Sequence, residues 1–205
     1  MQLLDGVEVA QSPIAAIVSC SDAQLEPSRL FGVYPGEVFS IRNIANLVPT
    51  YSNAQFPSET VSGLEFAVKD LQVPHIVILG HSNCAGIQTL MSLPSSSASD
   101  SQVDRWVRQA EPARDKSRNV RDAFFLATQN PSYEHASICL SLRRLASYPW
   151  IESLVKKGKL SLHGWHFDFC GDELDRYCPE RQRFISDERS TKAKSTIFRK
   201  RYVFK

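Results

Sequence analysis

Four stretches of this chain read as strands, the first of them apolar on both faces, and between them apolar positions recur at helical spacing. Ile14 to Ser19 follows Pro13 and predicts a first strand, and Val38 to Arg42 a second after the turn signal YPGE. His75 to Gly80 predicts a third, and Leu160 to Phe169 (LSLHGWHFDF) a fourth that is dense in aromatics rather than β-branched residues. Between the second and third, FPSETVSGLEFAVKDLQVP sets Val61, Leu64, Val68 and Leu71 three, four and three residues apart. That is the pattern of an amphipathic helix, closed off by Pro74. AGIQTLMSL after Cys84 predicts a short helix, and PSSSASDS a polar loop. Helical patterns continue through Gln102 to Ala110, Val120 to Gln129 and Glu134 to Ser147, where Ile138, Leu142 and Leu145 share a face. Trp150 to Lys157 predicts one more helix, with Gly158 at its stop. Strands alternating with helices predict an α/β fold with a central, mainly parallel β-sheet flanked by helices.

Length narrows this to one domain. At 205 residues the chain has room for one full core and not two, so residues 1–205 are read as a single unit with a basic C-terminal arm from about residue 189. The hydrophobic share of 42% and charged share of 22% are ordinary for a soluble protein, and no apolar run approaches the ~20 residues of a membrane helix. MQLLDGVEVAQSP lacks the basic flank and apolar centre of a secretory signal, so a cytoplasmic protein without membrane attachment is expected. Of the 24 Lys and Arg, seven follow from Arg189 onward with no acid among them, which leaves 17 against 22 acids in the body. The net charge of +2 therefore belongs to the tail. Its cluster at Arg199 to Arg201 is a possible nucleic-acid feature, but the apolar, β-prone ends of TIFRKRYVFK predict an edge strand that pairs with another subunit, and no nucleic-acid partner is expected.

Five cysteines, Cys20, Cys84, Cys139, Cys170 and Cys178, are an odd number scattered through a chain with no secretory signal, which favours metal ligation or plain burial over disulfides. Two of them coincide with strand ends. The first strand closes on Cys20 and Asp22, the third on His81 and Cys84. In parallel sheets ligands sit beyond the carboxyl ends of the strands. Two thiolates and an imidazole are good Zn²⁺ ligands, and a fourth position left to water makes a catalytic rather than a structural site. Cys84 also opens a predicted helix, whose N-terminus favours the thiolate.

At these residues the sequence resembles the β-class carbonic anhydrases of the plant and cyanase-operon type. The resemblance runs from about Ala10 to Phe169, through QSP, CSD at Cys20, PGEVFSIRNIANLVP, SGLEFAV, GHSNCAG, SYPWI and LHGWHFDF in order. It implies an obligate dimer as the smallest unit, or a higher homo-oligomer, and one Zn²⁺ per chain on Cys20, His81 and Cys84. It also implies a zinc-bound hydroxide that attacks CO₂ to give bicarbonate. By the same resemblance Phe39, Ile44 and Phe66 line the substrate pocket. Gln11 matches the amide that donates to the substrate oxygen, and Asp22 the carboxylate that accepts from the hydroxide or, in a closed state, ligates the metal.

The chief departure is Gln24, which stands where the family has an arginine paired with that carboxylate. Gln24 brings a hydrogen-bond donor but no charge, so the expectation is a raised pKa for the reacting water, or an Asp22 free to swing onto the metal. Arg29 is the nearby residue able to take the arginine's place. Ala85 replaces a glycine and Phe66 a tyrosine, both expected to make the pocket drier. Only 19 residues precede Cys20, where the family has a helical arm, so a weaker or differently built dimer is expected. Two other readings follow from these changes: a zinc hydrolase of COS or CS₂, and a non-catalytic zinc-stabilised paralogue. His75, His135, His163 and His166 show no ligand spacing that competes with the main site and read as structural or surface residues. Cys139, Cys170 and Cys178 read as buried or idle thiols, the last two as redox-sensitive candidates, and Arg42 and Asn43 as scaffold.

Overall fold

The structure is a computed structural model and describes residues 12–22, 24–51, 58–94, 100–114 and 132–186. The predicted strands are present as β1 (Ala15–Cys20), β2 (Val38–Asn43), β3 (His75–His81) and β4 (Ser161–Asp168), all mutually parallel where they pair. Two more strands follow, β5 (Glu173–Cys178) and β6 (Arg183–Ser186), added antiparallel, so the sheet runs β2-β1-β3-β4-β5-β6. Sequence pattern did not announce this extension. ELDRYC and RFIS carry no apolar run, because both strands are only part-buried.

The helices are α1 (Pro27–Phe31), α2 (Glu59–Lys69), α3 (Ala85–Ser92), α4 (Gln102–Val107), α5 (Glu111–Arg114), α6 (Tyr133–Ala146) and α7 (Pro149–Lys156). α1 is too short for periodicity to reveal; Glu26 caps it and Pro27 opens it. The helix predicted at Val120 to Gln129, the basic tail and Gln11 lie outside the described residues. Among the described residues no helix is long and apolar enough to cross a membrane.

Strand residues alternate between two cores. Ala16, Val18, Ile76 and Ile78 face Leu64, Ala67 and Val68 of α2 and Ile138, Leu142 and Leu145 of α6. Ile17, Val77 and Leu79 face the other way, onto Phe31 of α1 and Ile87 and Leu90 of α3. Two strand glycines permit the α6 contact. A Cβ on Gly80 would stand 2.8 Å from Ile138 Cδ1, and one on Gly164 2.8 Å from Leu142 Cδ1. β2 lies on one side of β1 and β3 on the other, so the strand order, though not the strand direction, reverses between β1 and β3. A crevice at such a reversal is where open α/β sheets hold their ligands.

Candidate metal centre

Cys20 ends β1 and His81 ends β3, side by side at that reversal. Cys84 follows as the N-cap of α3, after a turn that Asn83 makes at φ 57°. One ligand atom from each of the three lies within 4.8 Å of the others, and all three residues are buried. The sulfurs stand 3.7 Å apart. Two sulfurs each about 2.3 Å from a tetrahedral zinc lie about 3.8 Å apart, whereas a disulfide would need about 2.05 Å. The histidine is oriented to match: its Nδ1 lies 2.9 Å from the Ser82 carbonyl and donates to it, while the buried Nε2 has no hydrogen-bond partner among the described residues. A backbone acceptor on one ring nitrogen fixes the tautomer that offers the other to a metal. The donor set and its spacing fit zinc.

The local electrostatics point the same way. The hydrogen bond from Cys84 brings the Cys20 thiol down to about 4 against the upward push of burial, helped by His81 and by the backbone N–H groups of Asp22 and Ala45. The same hydrogen bond, together with burial, raises Cys84, with the N–H groups of Ile87 and Gly86 opposing. Burial would lower His81, but the neighbouring Cys20 sulfur outweighs it and raises it. The pair thus shares a proton that a dication would displace, since the metal binds thiolates and neutral imidazole.

The backbone bends to supply those amides. Ala45 and Asn46 both adopt left-handed conformations, at φ 65° and 47°. Such a conformation costs a non-glycine residue ~1 kcal/mol or more. Asn43 offsets it by closing the turn: its Oδ1 accepts from Leu47 N–H at 2.8 Å, and its Nδ2 donates to Leu47 O and to Thr60 Oγ1. Gly86 admits the turn, because a Cβ there would meet Ile44 Cγ2 at 2.7 Å and Ala45 Cβ at 2.9 Å.

Asp22 is beside the cluster and not a member of it. Its Oδ1 accepts the backbone N–H of Gln24 at 2.9 Å. What position 24 gives this carboxylate is therefore a main-chain donor that any residue but proline would provide. Arg29 does not replace the missing guanidinium; it lies exposed on α1 and makes no ion pair with Asp22 among the described residues. The arginine at this loop is Arg42. It donates to the carbonyls of Cys20 (3.0 Å), Asp22 (2.8 Å) and Leu25 (2.5 Å) and pairs with Glu26 at 2.8 Å, which makes it the strut of the Cys20–Glu26 loop. Its scaffold reading, and that of Asn43, agrees with these contacts.

The expected pocket residues divide. Ile44 is at the centre, touching the start of α3, and is 38% exposed. Ala85 is exposed at the first turn of α3, so its methyl does not line a closed pocket within this chain. Phe39 and Phe66 pack on each other, centroids 5.9 Å apart, but against the core on the opposite face of the sheet. Phe39 is four residues before Asn43, the partner of Cys20, and so about 13 Å away along the strand. Within one chain these two rings are not brought to the cluster. Phe39 borders instead an open groove of about 840 Å³ beside β2, lined also by Ser21, Arg42, Ile44 and Trp106.

The remaining thiols and histidines are elsewhere. Cys139 is buried on α6, which pushes its thiol up to about 12 and leaves it inert. Cys170 precedes β5 and Cys178 ends it, so strand length keeps them from pairing. His75 and His163 meet at 3.1 Å, with His75 at the start of β3, far from the cluster. His135 and His166, which showed no ligand spacing in the sequence, come together with Asp175. Donors so far apart in sequence, on α6, β4 and β5, carry no spacing signal; only the tertiary fold joins them.

Comparison with known proteins bears on the whole of this arrangement. The family model for carbonic anhydrase matches residues 15–174. The chain is 42% identical over 168 residues to β carbonic anhydrase 5, chloroplastic, of Arabidopsis thaliana, covering 82% of this chain and 55% of that protein. It thus spans little more than half the length of the first curated relatives it matches. Among solved structures it is similar to the β-carbonic anhydrase CcaA, with a TM-score of 0.72 and 28% identity over 86% of this chain and 85% of that one. It is also similar to tetrameric β-carbonic anhydrases of Sordaria macrospora, with a TM-score of 0.60 and 25% identity over 86% and 81%.

Proposed function

We propose that this chain, which belongs to the β-carbonic anhydrase family, interconverts CO₂ and bicarbonate with one zinc held by Cys20, His81 and Cys84. The observation that carries the reading is the geometry of the three donors: a sulfur pair at tetrahedral spacing and a buried imidazole Nε2 with its tautomer fixed. When bound, zinc lowers the pKa of a water ligand from ~15.7 to ~7, a value for which carbonic anhydrases are themselves the reference case.

The chain's own groups do the rest. Asp22, held at Oδ1 by Gln24 N–H, keeps Oδ2 as the acceptor for the reacting water and is anchored away from the metal by that bond. Arg42 fixes the loop on which Asp22 rides. Ile44 presents an apolar wall suited to CO₂. Gln11 is assigned as the amide donor to substrate on the family resemblance.

Phe39 and Phe66 reach a pocket only if a second copy docks. Among the described residues the edge strand β2 is unpaired on its outer side, and Phe66 is 46% exposed beside it. An open edge with exposed aromatic surface is a template for another chain. We assign this edge to a homodimer that closes the groove and completes the pocket. The tetrameric relatives of Sordaria macrospora fit assembly beyond one chain.

The test is stopped-flow CO₂ hydration from pH 6.5 to 9 on zinc-loaded protein, beside Gln24→Arg. Hydration that rises with pH, with a midpoint moved to lower pH by up to about one unit in the variant, is expected, because a guanidinium beside Asp22 favours loss of the water proton. Hydration absent at every pH in the wild type and present only in Gln24→Arg would overturn the reading and leave a chain whose metal site is closed.

A further inference from the structure

The sheet face opposite the thiolates carries a second set of donors. His135 stands in the first turn of α6, His166 in β4 and Asp175 in β5, and one ligand atom of each lies within 4.8 Å of the others. His166 is 6% exposed, and neither of its ring nitrogens has a hydrogen-bond partner among the described residues. Nε2 of His135 is likewise buried without a hydrogen bond, 4.0 Å from Asp175 Oδ2. Ring packing accounts for the carbon atoms: His135 stacks on Phe184 at 4.0 Å and 21°, and meets His166 edge-on at 4.3 Å. It does not account for three ring nitrogens taken out of water with nothing to bond, an arrangement folded proteins avoid.

We propose that His135, His166 and Asp175 form a second cation site, taking a divalent transition metal such as Zn²⁺ through two imidazole nitrogens and one carboxylate oxygen. An ion equidistant from donors no more than 4.8 Å apart lies within about 2.8 Å of each, so bonds of about 2.0–2.2 Å need each side chain to close by only about 0.6 Å. Two imidazoles with one carboxylate are a standard zinc donor set that leaves positions for water. His135 and Asp175, with side chains 18% and 28% exposed, leave a path for that water and for the ion.

The charges around the cluster favour a cation. Burial, with Asp168 and Glu173 nearby, raises Asp175. Burial also lowers His166, while the carboxylates of Glu134 and Asp168 pull it back up and His81 adds to the lowering. Burial, then His166, holds His135 down at about 3, so it is the neutral, metal-binding form of the ring that the fold keeps. Carboxylates thus surround two neutral imidazoles. The three donors come from α6, the last parallel strand and the first antiparallel one, so a bound ion ties the β5–β6 extension to the helix and the parallel sheet. The site holds no thiolate and lies on the other face from Cys20 and Cys84, which keeps it separable from the first centre.

The test counts metal. Full-length protein is equilibrated with Zn²⁺, freed of loose ion by gel filtration and analysed by mass spectrometry of the elements. Two zinc per chain are expected in the wild type, and one in each of Asp175→Asn, His135→Gln and Cys20→Ser. Co²⁺ gives a readout in the wild type alone: a second equivalent should bind without sulfur-to-metal charge-transfer absorption. One equivalent in the wild type overturns the proposal. So does a second that persists in both Asp175→Asn and His135→Gln, or one that carries the sulfur band. Should both variants fail to fold, the wild-type cobalt titration decides. A chain that binds two metals and does not hydrate CO₂ would sink the proposed function and leave this one standing.

Discussion

Cys20, His81 and Cys84 sit where two parallel strands end; His135, His166 and Asp175 sit on the other face, on strands and a helix already engaged in the fold. Backbone supply separates them. Beyond the last rungs of β1 and β3 the amides of Asp22, Ala45, Gly86 and Ile87 are not used by the sheet, and they turn toward sulfur. Within β4 and β5 the ladder takes the amides of the paired residues, and the side chains there receive little help from the main chain. A strand end can therefore hold a charged thiolate in a buried place. The strand interior can hold only neutral imidazoles and one carboxylate. The first arrangement suits tight, deprotonated sulfur ligation, and the second a harder and weaker nitrogen and oxygen site.

The sharpest way to break that contrast is to remove the strut of the loop. Arg42→Met strips the guanidinium from the carbonyls of Cys20, Asp22 and Leu25 without touching a ligand. Loss of an outer-shell partner of this kind costs about 10- to 100-fold in activity or metal affinity. We expect that loss in stopped-flow CO₂ hydration; a change under threefold would show that the loop holds itself.

A second comparison uses one methyl group on each face. Gly86→Ala drives a Cβ into Ile44 and Ala45 beside the first centre, and Gly164→Ala drives one into Leu142, Ile138 and Tyr177 under α6. Overpacking of this kind costs about 1–3 kcal/mol, so both variants should unfold at lower urea. Only Gly86→Ala should also slow hydration per folded molecule. Equal slowing in both would mean that strain crosses the sheet and that the two faces are not independent.

The smallest effect expected concerns acid. His163, outside both clusters, stays neutral in the fold down to about 4, chiefly through burial and then through His75 and Arg176. The unfolded chain takes up that proton near pH 6.5. Between those values the unfolded state binds more protons, so stability falls as pH falls, by up to about 1.4 kcal/mol per pH unit for this group. Urea unfolding at pH 7 and pH 5 should show the slope, and His163→Gln should flatten it. An unchanged slope would place the acid sensitivity in the other buried histidines.

How much was legible follows from the same physics. The buried strands declared themselves because a strand covered on both faces must be largely apolar, as AAIV ahead of Ser19 is. Cys20, His81 and Cys84 were legible because each closes or follows such a run, and a polar residue at the end of an apolar run marks a strand end. The β5–β6 hairpin was not, since part-buried strands mix polar and apolar residues as loops do. Arg42 could be read as scaffold but not as the strut of the Asp22 loop, because its acceptors are backbone carbonyls that any sequence supplies.

Sequence alone determined the α/β class and the parallel core, and by local pattern it singled out Cys20, His81 and Cys84, which the structure brings together. Tertiary structure decided the rest. It put Asp22 on the N–H of Gln24, set Phe39 and Phe66 on the opposite face from Cys20, and gathered His135, His166 and Asp175 from separate elements. Those outcomes depend on which strand lies beside which and which face each residue meets. Neither is written in spacing along the chain, because sheet order and helix placement are fixed by packing between distant segments.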